Sequence, residues 1–302
     1  MKTAIVPIRP APEPGSPIAA LMEMQSLRRH CIRSQSRCDR SIEALVARSF
    51  GYHTGLPEAE RKKIFKVARA LRLTVETNAK AGRPTSDPRI PSQVVNIIET
   101  SYVARAQWDR LRANIESQMA VTARQLDIWP WVKTVRGVAE LGLAVIVAEA
   151  GDITSYSGPA KLWKRLGLAC MDGIRQGRVP PDLSRENRAE EWKRRGYNPA
   201  RRAEVWAFLD DTMFRAQWRG DRDEDGKQPA KTGKPVAVPA HALGTFGAVY
   251  GERKAWNLAR GLGPKHADNE ARRFMAKRFV RDLWIAWRDL EIKRLPMPAE
   301  AA

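Results

Sequence analysis

Val135-Arg136-Gly137-Val138-Ala139-Glu140-Leu141-Gly142-Leu143-Ala144-Val145-Ile146-Val147-Ala148-Glu149-Ala150-Gly151-Asp152 is the stretch that decides the fold. It reads as a tight glycine-containing hairpin, a helix of small and apolar residues, and a Gly-Asp stop. Gly137 can adopt positive φ and lets the backbone approach a ligand or a second helix closely. The helix begins near Ala139, and its first amides lack intrahelical partners. The helix dipole favours an anion there, and phosphate is the natural occupant. Leu141, Ala144, Val145 and Ala148 share one face, while Gly142, Ala144 and Ala148 admit a close neighbour. Gly151 stops the helix and Asp152 opens the next turn. The segment up to Trp131-Val132 forms the first helix of a helix-hairpin-helix. The competing reading is an ordinary αα-hairpin inside a helical core, since Ala139 stands where such motifs carry a second glycine.

Charge favours the phosphate reading. The 302 residues include 53 Lys and Arg against 34 Asp and Glu, a formal net charge of +19. That excess points to a polyanionic partner, and nucleic acid is the usual one. The cations are spread along the chain rather than gathered beside an apolar anchor, which disfavours a membrane surface. The most apolar run, Leu141 to Ala150, is about half the roughly 20 residues of a spanning helix. Prolines interrupt the N-terminus before a signal-like segment develops, so a cytoplasmic, nucleoid-associated location is expected. Cys31, Cys38 and Cys170 form no CxxC pair, and Cys31 and Cys38 lie about 10 Å apart if helical. Free thiols and no structural metal are expected, with His30, His53, His241 and His266 scattered.

Outward from the hairpin, residues 1–17 read as a disordered Pro-rich tail. Residues 18–127 read as a helical, coiled-coil-like arm, with helices over 18–48, from Pro57 to about Leu71, and from Ser92. In the third, Val95, Ile98, Tyr102, Trp108, Leu111, Ile115 and Met119 recur at helical spacing. That stripe suits either an intramolecular core or a coiled-coil homo-oligomer. Residues 128–295 form the helix-hairpin-helix domain, with insertions expected at about 172–191 and 220–238. A short helix closes at Gly167, and the segment from Arg194 leads into a helix reaching about Trp218. Two more helices follow, over about 241–260 and 267–294, the last with Phe274, Phe279, Val280, Leu283, Trp287 and Leu290 on its apolar face. The fold class is all-α.

Gly137-Val138-Ala139-Glu140 through Asp152-Ile153, then Tyr156-Ser157-Gly158-Pro159-Ala160-Lys161-Leu162 and Gly167-Leu168, carry a resemblance. The module resembles the C-terminal helix-hairpin-helix domain of DEDD-type insertion-sequence transposases, relatives of the Piv invertases and bridge-RNA-guided recombinases. Lys193-Arg194-Arg195-Gly196-Tyr197-Asn198-Pro199-Ala200-Arg201-Arg202 is similar to a helix start of that family. Val249 to Lys254 and Lys277 to Trp284 are similar to its C-terminal helices. The resemblance implies DNA binding in transposition or site-specific recombination. The nucleic-acid-binding residues are expected to be Arg136, Gly137, Val138, Ala139, Lys161, Lys164, Arg165, Arg194, Arg195, Asn198, Arg201 and Arg202.

Two departures bear on chemistry. The family carries an N-terminal ribonuclease-H-like domain whose four carboxylates hold metal ions, whereas here the linker-like helices follow residue 20 at once. Asp221, Asp223, Glu224 and Asp225 read as a solvated loop rather than a substitute. No intrinsic cofactor is therefore expected, and Mg2+ enters only through a companion nuclease protein. The family also places a nucleophilic serine after the Gly-Leu pair. Here Ala169 to Gly177 contains none, Ser184 is the nearest downstream hydroxyl, and Ser157 reads as a helix N-cap. Two functions follow. One is a serine-type DNA transposase or recombinase. The alternative is a non-catalytic accessory protein that binds DNA or a structured guide RNA. A helical scaffold made soluble by its charge is a third reading, but solubility needs no such one-sided excess.

Overall fold

The computed structural model describes residues 13–85, 90–171, 173–179, 183–218 and 244–294, and among these the fold is all-α apart from one small hairpin of strands. The chain divides into two compact units, Ser26–Gln118 and Met1–Gln25 with Met119–Ala302. Three long helices open it: α1 (Pro17–Ser49), α2 (Glu58–Lys80) and α3 (Ser92–Arg124). The sequence ended the second near Leu71, but helix-compatible residues carry α2 nine residues further, to Lys80.

Within Ser26–Gln118 these helices bury a core of Ile42, Val46, Ala47, Ala68, Val75, Ile90, Val94 and Ile98. Ile98 of the α3 stripe thus lies in a core of its own unit. Val95 packs against that core, and the Trp108 ring meets His30 edge-on. Leu111, at 46% exposure, stands outside it. Arg72 is buried in this unit and is matched by three carboxylates, Asp39 at 3.2 Å, Glu43 at 3.0 Å and Glu76 at 2.9 Å. A buried guanidinium persists when ion pairs offset its desolvation.

In the second unit α4 (Trp129–Val132) precedes the hairpin and α5 (Glu140–Ala150) follows it. The expectation of a one-faced α5 is corrected: Gly142 through Ala150 are all buried. A helix apolar all round belongs in the middle of a domain. Its one buried acid, Glu149, is met by Gln25 at 2.9 Å and by Arg201 at 3.4 Å. Gly151 ends α5 with φ +80°, as the Gly-Asp stop requires.

Next come α6 (Pro159–Arg165), strands β1 (Cys170–Met171) and β2 (Ile174–Arg175), α7 (Arg185–Arg194) and α8 (Pro199–Trp206). The region expected as a loose insertion at 172–191 is instead built, in its described part, from this antiparallel hairpin and α7. Its anchor is Gln176, fully buried, whose Nε2 donates to the Lys164 carbonyl at 3.1 Å and the Arg195 carbonyl at 2.9 Å. The helix expected to run to Trp218 changes pitch: α8 passes into a π-helix over Ala207–Phe214, then α9 (Arg215–Trp218). The N-cap of α6 is Gly158 rather than Ser157, and no side chain caps it.

Helices α10 (Thr245–Ala259) and α11 (Pro264–Arg294) close the unit as a packed pair. Phe279, Val280, Leu283 and Trp287 of α11 are buried as expected, but Phe274 is 40% exposed and lies under the Arg253 guanidinium. The segments 1–12 and 220–238, expected as tail and loop, lie outside the described residues. No described helix is long and apolar enough to cross a membrane.

Candidate nucleic-acid interface

The hairpin is occupied from within. Gly137 has φ +81°, and a Cβ there would stand 2.5 Å from the Ala216 Cβ and 3.0 Å from the Met213 backbone. The close approach that glycine permits is therefore to the π-helix and α9. Arg136 Nε donates to the Ala216 carbonyl at 2.9 Å, and Gln217 Nε2 donates to the Arg136 carbonyl at 2.8 Å. The Val138 amide donates to the Val135 carbonyl. Ala139 is the extended N-cap of α5 and offers no side-chain cap.

The anion expected at the α5 N-terminus is also in place, as Glu140. Its carboxylate accepts from its own backbone N–H and from Arg124 Nε at 3.0 Å. Those bonds hold its pKa below the usual carboxylate range. An acid in the first turn answers the helix dipole just as phosphate would. Gly137, Val138 and Ala139, expected to grip phosphate, thus lie against the π-helix and α9, with the Val138 amide bonded to the Val135 carbonyl and Glu140 at the head of α5.

The expected residues beyond the hairpin fall into two groups. The first is engaged by neighbouring protein groups, although Arg194 and Asn198 remain exposed. Arg165 Nε donates to the Glu149 carbonyl at 3.1 Å, and Arg201 pairs with the Glu149 carboxylate. Arg194 and Arg195 both bond Glu191 and hold its pKa down to about 2. Arg195 also donates to the Arg178 carbonyl. Asn198 caps α8 by accepting from the Arg201 amide at 3.0 Å.

The second group gathers on one side of the unit. Gln176 ties the end of α6 to the end of α7, and the Lys164 side chain reaches 3.6 Å from where a Cβ on Gly196 would stand. Lys161 and Lys164 are exposed on α6. Gly167 (φ +73°) ends that helix against the Arg202 stem and the Tyr197 ring. The Arg202 guanidinium lies over Trp206, 3.9 Å from the ring centre. Burial, with repulsion from Arg273 and Arg175, pulls its pKa down to about 10. Arg273 is lowered in the same way, by burial first and Arg175 next. On the same stretch of α11, Lys277 Nζ sits 4.3 Å over Trp163, whose Nε1 donates to the Lys277 carbonyl.

Arg175 and Trp206 were not singled out by sequence. Arg273 and Lys277 read there only as part of a basic face on the last helix, with Arg272, Arg278, Arg281 and Arg288, and which of these cations face α6 and β2 is decided by tertiary packing.

Ser184, the candidate nucleophile, is the N-cap of α7 and accepts from the Asn187 amide at 3.2 Å. That is a helix-capping geometry, in which the hydroxyl oxygen serves the backbone. Among the described residues no group of three or more His, Cys, Asp or Glu side chains could hold a metal ion.

Compared with protein-family models, curated proteins and solved structures, the chain matches none.

Proposed function

We propose that this protein binds nucleic acid through the basic side of its second unit, in the manner of a transposase- or recombinase-type DNA-binding protein. The observation that carries the reading is convergence. Lys161, Lys164, Arg175, Arg202, Arg273 and Lys277 come from α6, β2, α8 and α11 and cluster around the junction that Gln176 stitches. A net charge of +19 supplies the long-range attraction. The helix-hairpin-helix resemblance supports DNA as the partner, with structured RNA the alternative. The capping role of Ser184 favours binding over strand transfer as this chain's own contribution.

Fluorescence anisotropy with a labelled duplex and a structured RNA, at two salt concentrations, tests the reading. Binding that weakens steeply with salt is expected, because each neutralised phosphate releases counterions. Absence of binding at low salt overturns it.

A further inference from the structure

We propose that Arg175, Arg202 and Arg273 form a recessed clamp for a single phosphoryl group. The identification of its owner as a nucleic acid rests on the function proposed above; the clamp itself rests on the following geometry.

Three elements distant in sequence, β2, α8 and α11, bring these arginines close enough to repel one another. Arg202 and Arg273 each bury an Nη1 that has no hydrogen-bond partner among the described residues. The neighbouring carboxylates are already committed. Asp210 is bonded to Arg272 at 3.0 Å, and Glu270 to Arg253 at 2.8 Å and to Asn257. The contrast with Arg72 of the first unit is direct, since that buried guanidinium has three carboxylates of its own. Desolvated like charges whose nearest carboxylates are bonded elsewhere oppose folding, and an anion offsets that cost.

The site is also rigid. Trp206 packs against the Arg202 guanidinium, and Gly167 leaves room for its stem, since a Cβ there would lie 3.0 Å from the Arg202 Cβ. Arg175 is exposed and gives access from solvent. A phosphoryl group presents enough oxygens to accept from three guanidinium forks at once, whereas a carboxylate presents two. A backbone phosphate, a 5′-terminal phosphate and free inorganic phosphate share that chemistry.

The test uses the full chain and the variants Arg175→Gln and Arg273→Gln. Melting is followed in inorganic phosphate or pyrophosphate against chloride at matched ionic strength. Nucleic-acid affinity is followed across salt, with duplexes ending in 5′-phosphate or 5′-hydroxyl. Phosphate should raise the wild-type melting temperature and leave both variants unmoved. Arg175→Gln should melt at or above the wild-type temperature in chloride, because a repulsion is removed. It should also lose about ten-fold in affinity, and its salt slope should shrink by about one. A preference for 5′-phosphate ends assigns the clamp to a terminal phosphate, and equal binding of both ends assigns it to the backbone. If the wild type binds no nucleic acid but phosphate still raises melting through Arg175, the proposed function fails and the clamp stands. Unchanged affinity and slope in both variants, with no phosphate-specific rise in wild-type melting, overturn the clamp whatever the fate of the interface. A lowered melting temperature of Arg175→Gln with unchanged affinity overturns it too, as a purely structural role.

Discussion

The hairpin at Val135–Glu140 and the basic corner around Arg202 both present groups suited to phosphate, and they differ in what already meets those groups. At the hairpin, Gly137 is filled by Ala216 and Met213, Arg136 is bonded to the Ala216 carbonyl, and Glu140 sits where an anion would sit. At the corner, Arg202 and Arg273 are half-buried, repel each other and Arg175, and find their nearest carboxylates engaged elsewhere. The hairpin is packed against the π-helix and α9, with an acid of its own at the helix start. The corner stores an electrostatic cost that a polyanion relieves. A phosphate-binding motif is thus better judged by whether its donors are still open than by its shape.

The comparison is broken most forcefully at Gly137. Gly137→Ala places a methyl 2.5 Å from the Ala216 Cβ on a backbone with φ +81°. Overpacking plus left-handed strain should cost about 2–4 kcal/mol, read by urea unfolding. Affinity of the folded fraction for nucleic acid should be unchanged. A hairpin that gripped phosphate would show lost affinity at little cost in stability.

Ser184→Ala comes next. Loss of the α7 cap should cost about 1 kcal/mol. Any DNA strand transfer supported by a complex containing this chain should continue at the wild-type rate, and abolished transfer with intact binding would restore Ser184 as nucleophile.

The smallest effect is expected at Glu140. Its pKa is lowered on folding, so the stability it gives is present above the ordinary value of 4.5 and is lost as pH falls through the lowered value. Glu140→Gln should therefore destabilise by about 0.5 kcal/mol at neutral pH. The difference from wild type should vanish in acid. A difference that persisted well below pH 4.5 would mean that packing, not charge, matters there.

Much of this was legible in the chain. Gly137, Gly151 and Gly167 mark three left-handed positions that end or turn helices, and all three have positive φ. The all-α class and most helix starts followed from apolar spacing and prolines. Glu140 also carried a readable signal, since an acid at the first helical position already answers the dipole. The π-helix after Trp206 had no such signal, and together with α9 it fills the hairpin. The stitch through Gln176 was equally hidden, because a lone glutamine in a polar run looks like surface. Without it, the loose reading of 172–191 kept Arg175 apart from Arg202 and Arg273.

The most direct test sets the two regions side by side in one titration series. The salt dependence of nucleic-acid affinity is measured for wild type, for Arg136→Gln at the hairpin, and for Lys161→Gln with Lys164→Gln at the corner. A wild-type slope is expected for Arg136→Gln and a slope reduced by about two for the corner pair. The reverse pattern, a reduced slope at Arg136 and an unchanged one at the lysines, would contradict that expectation.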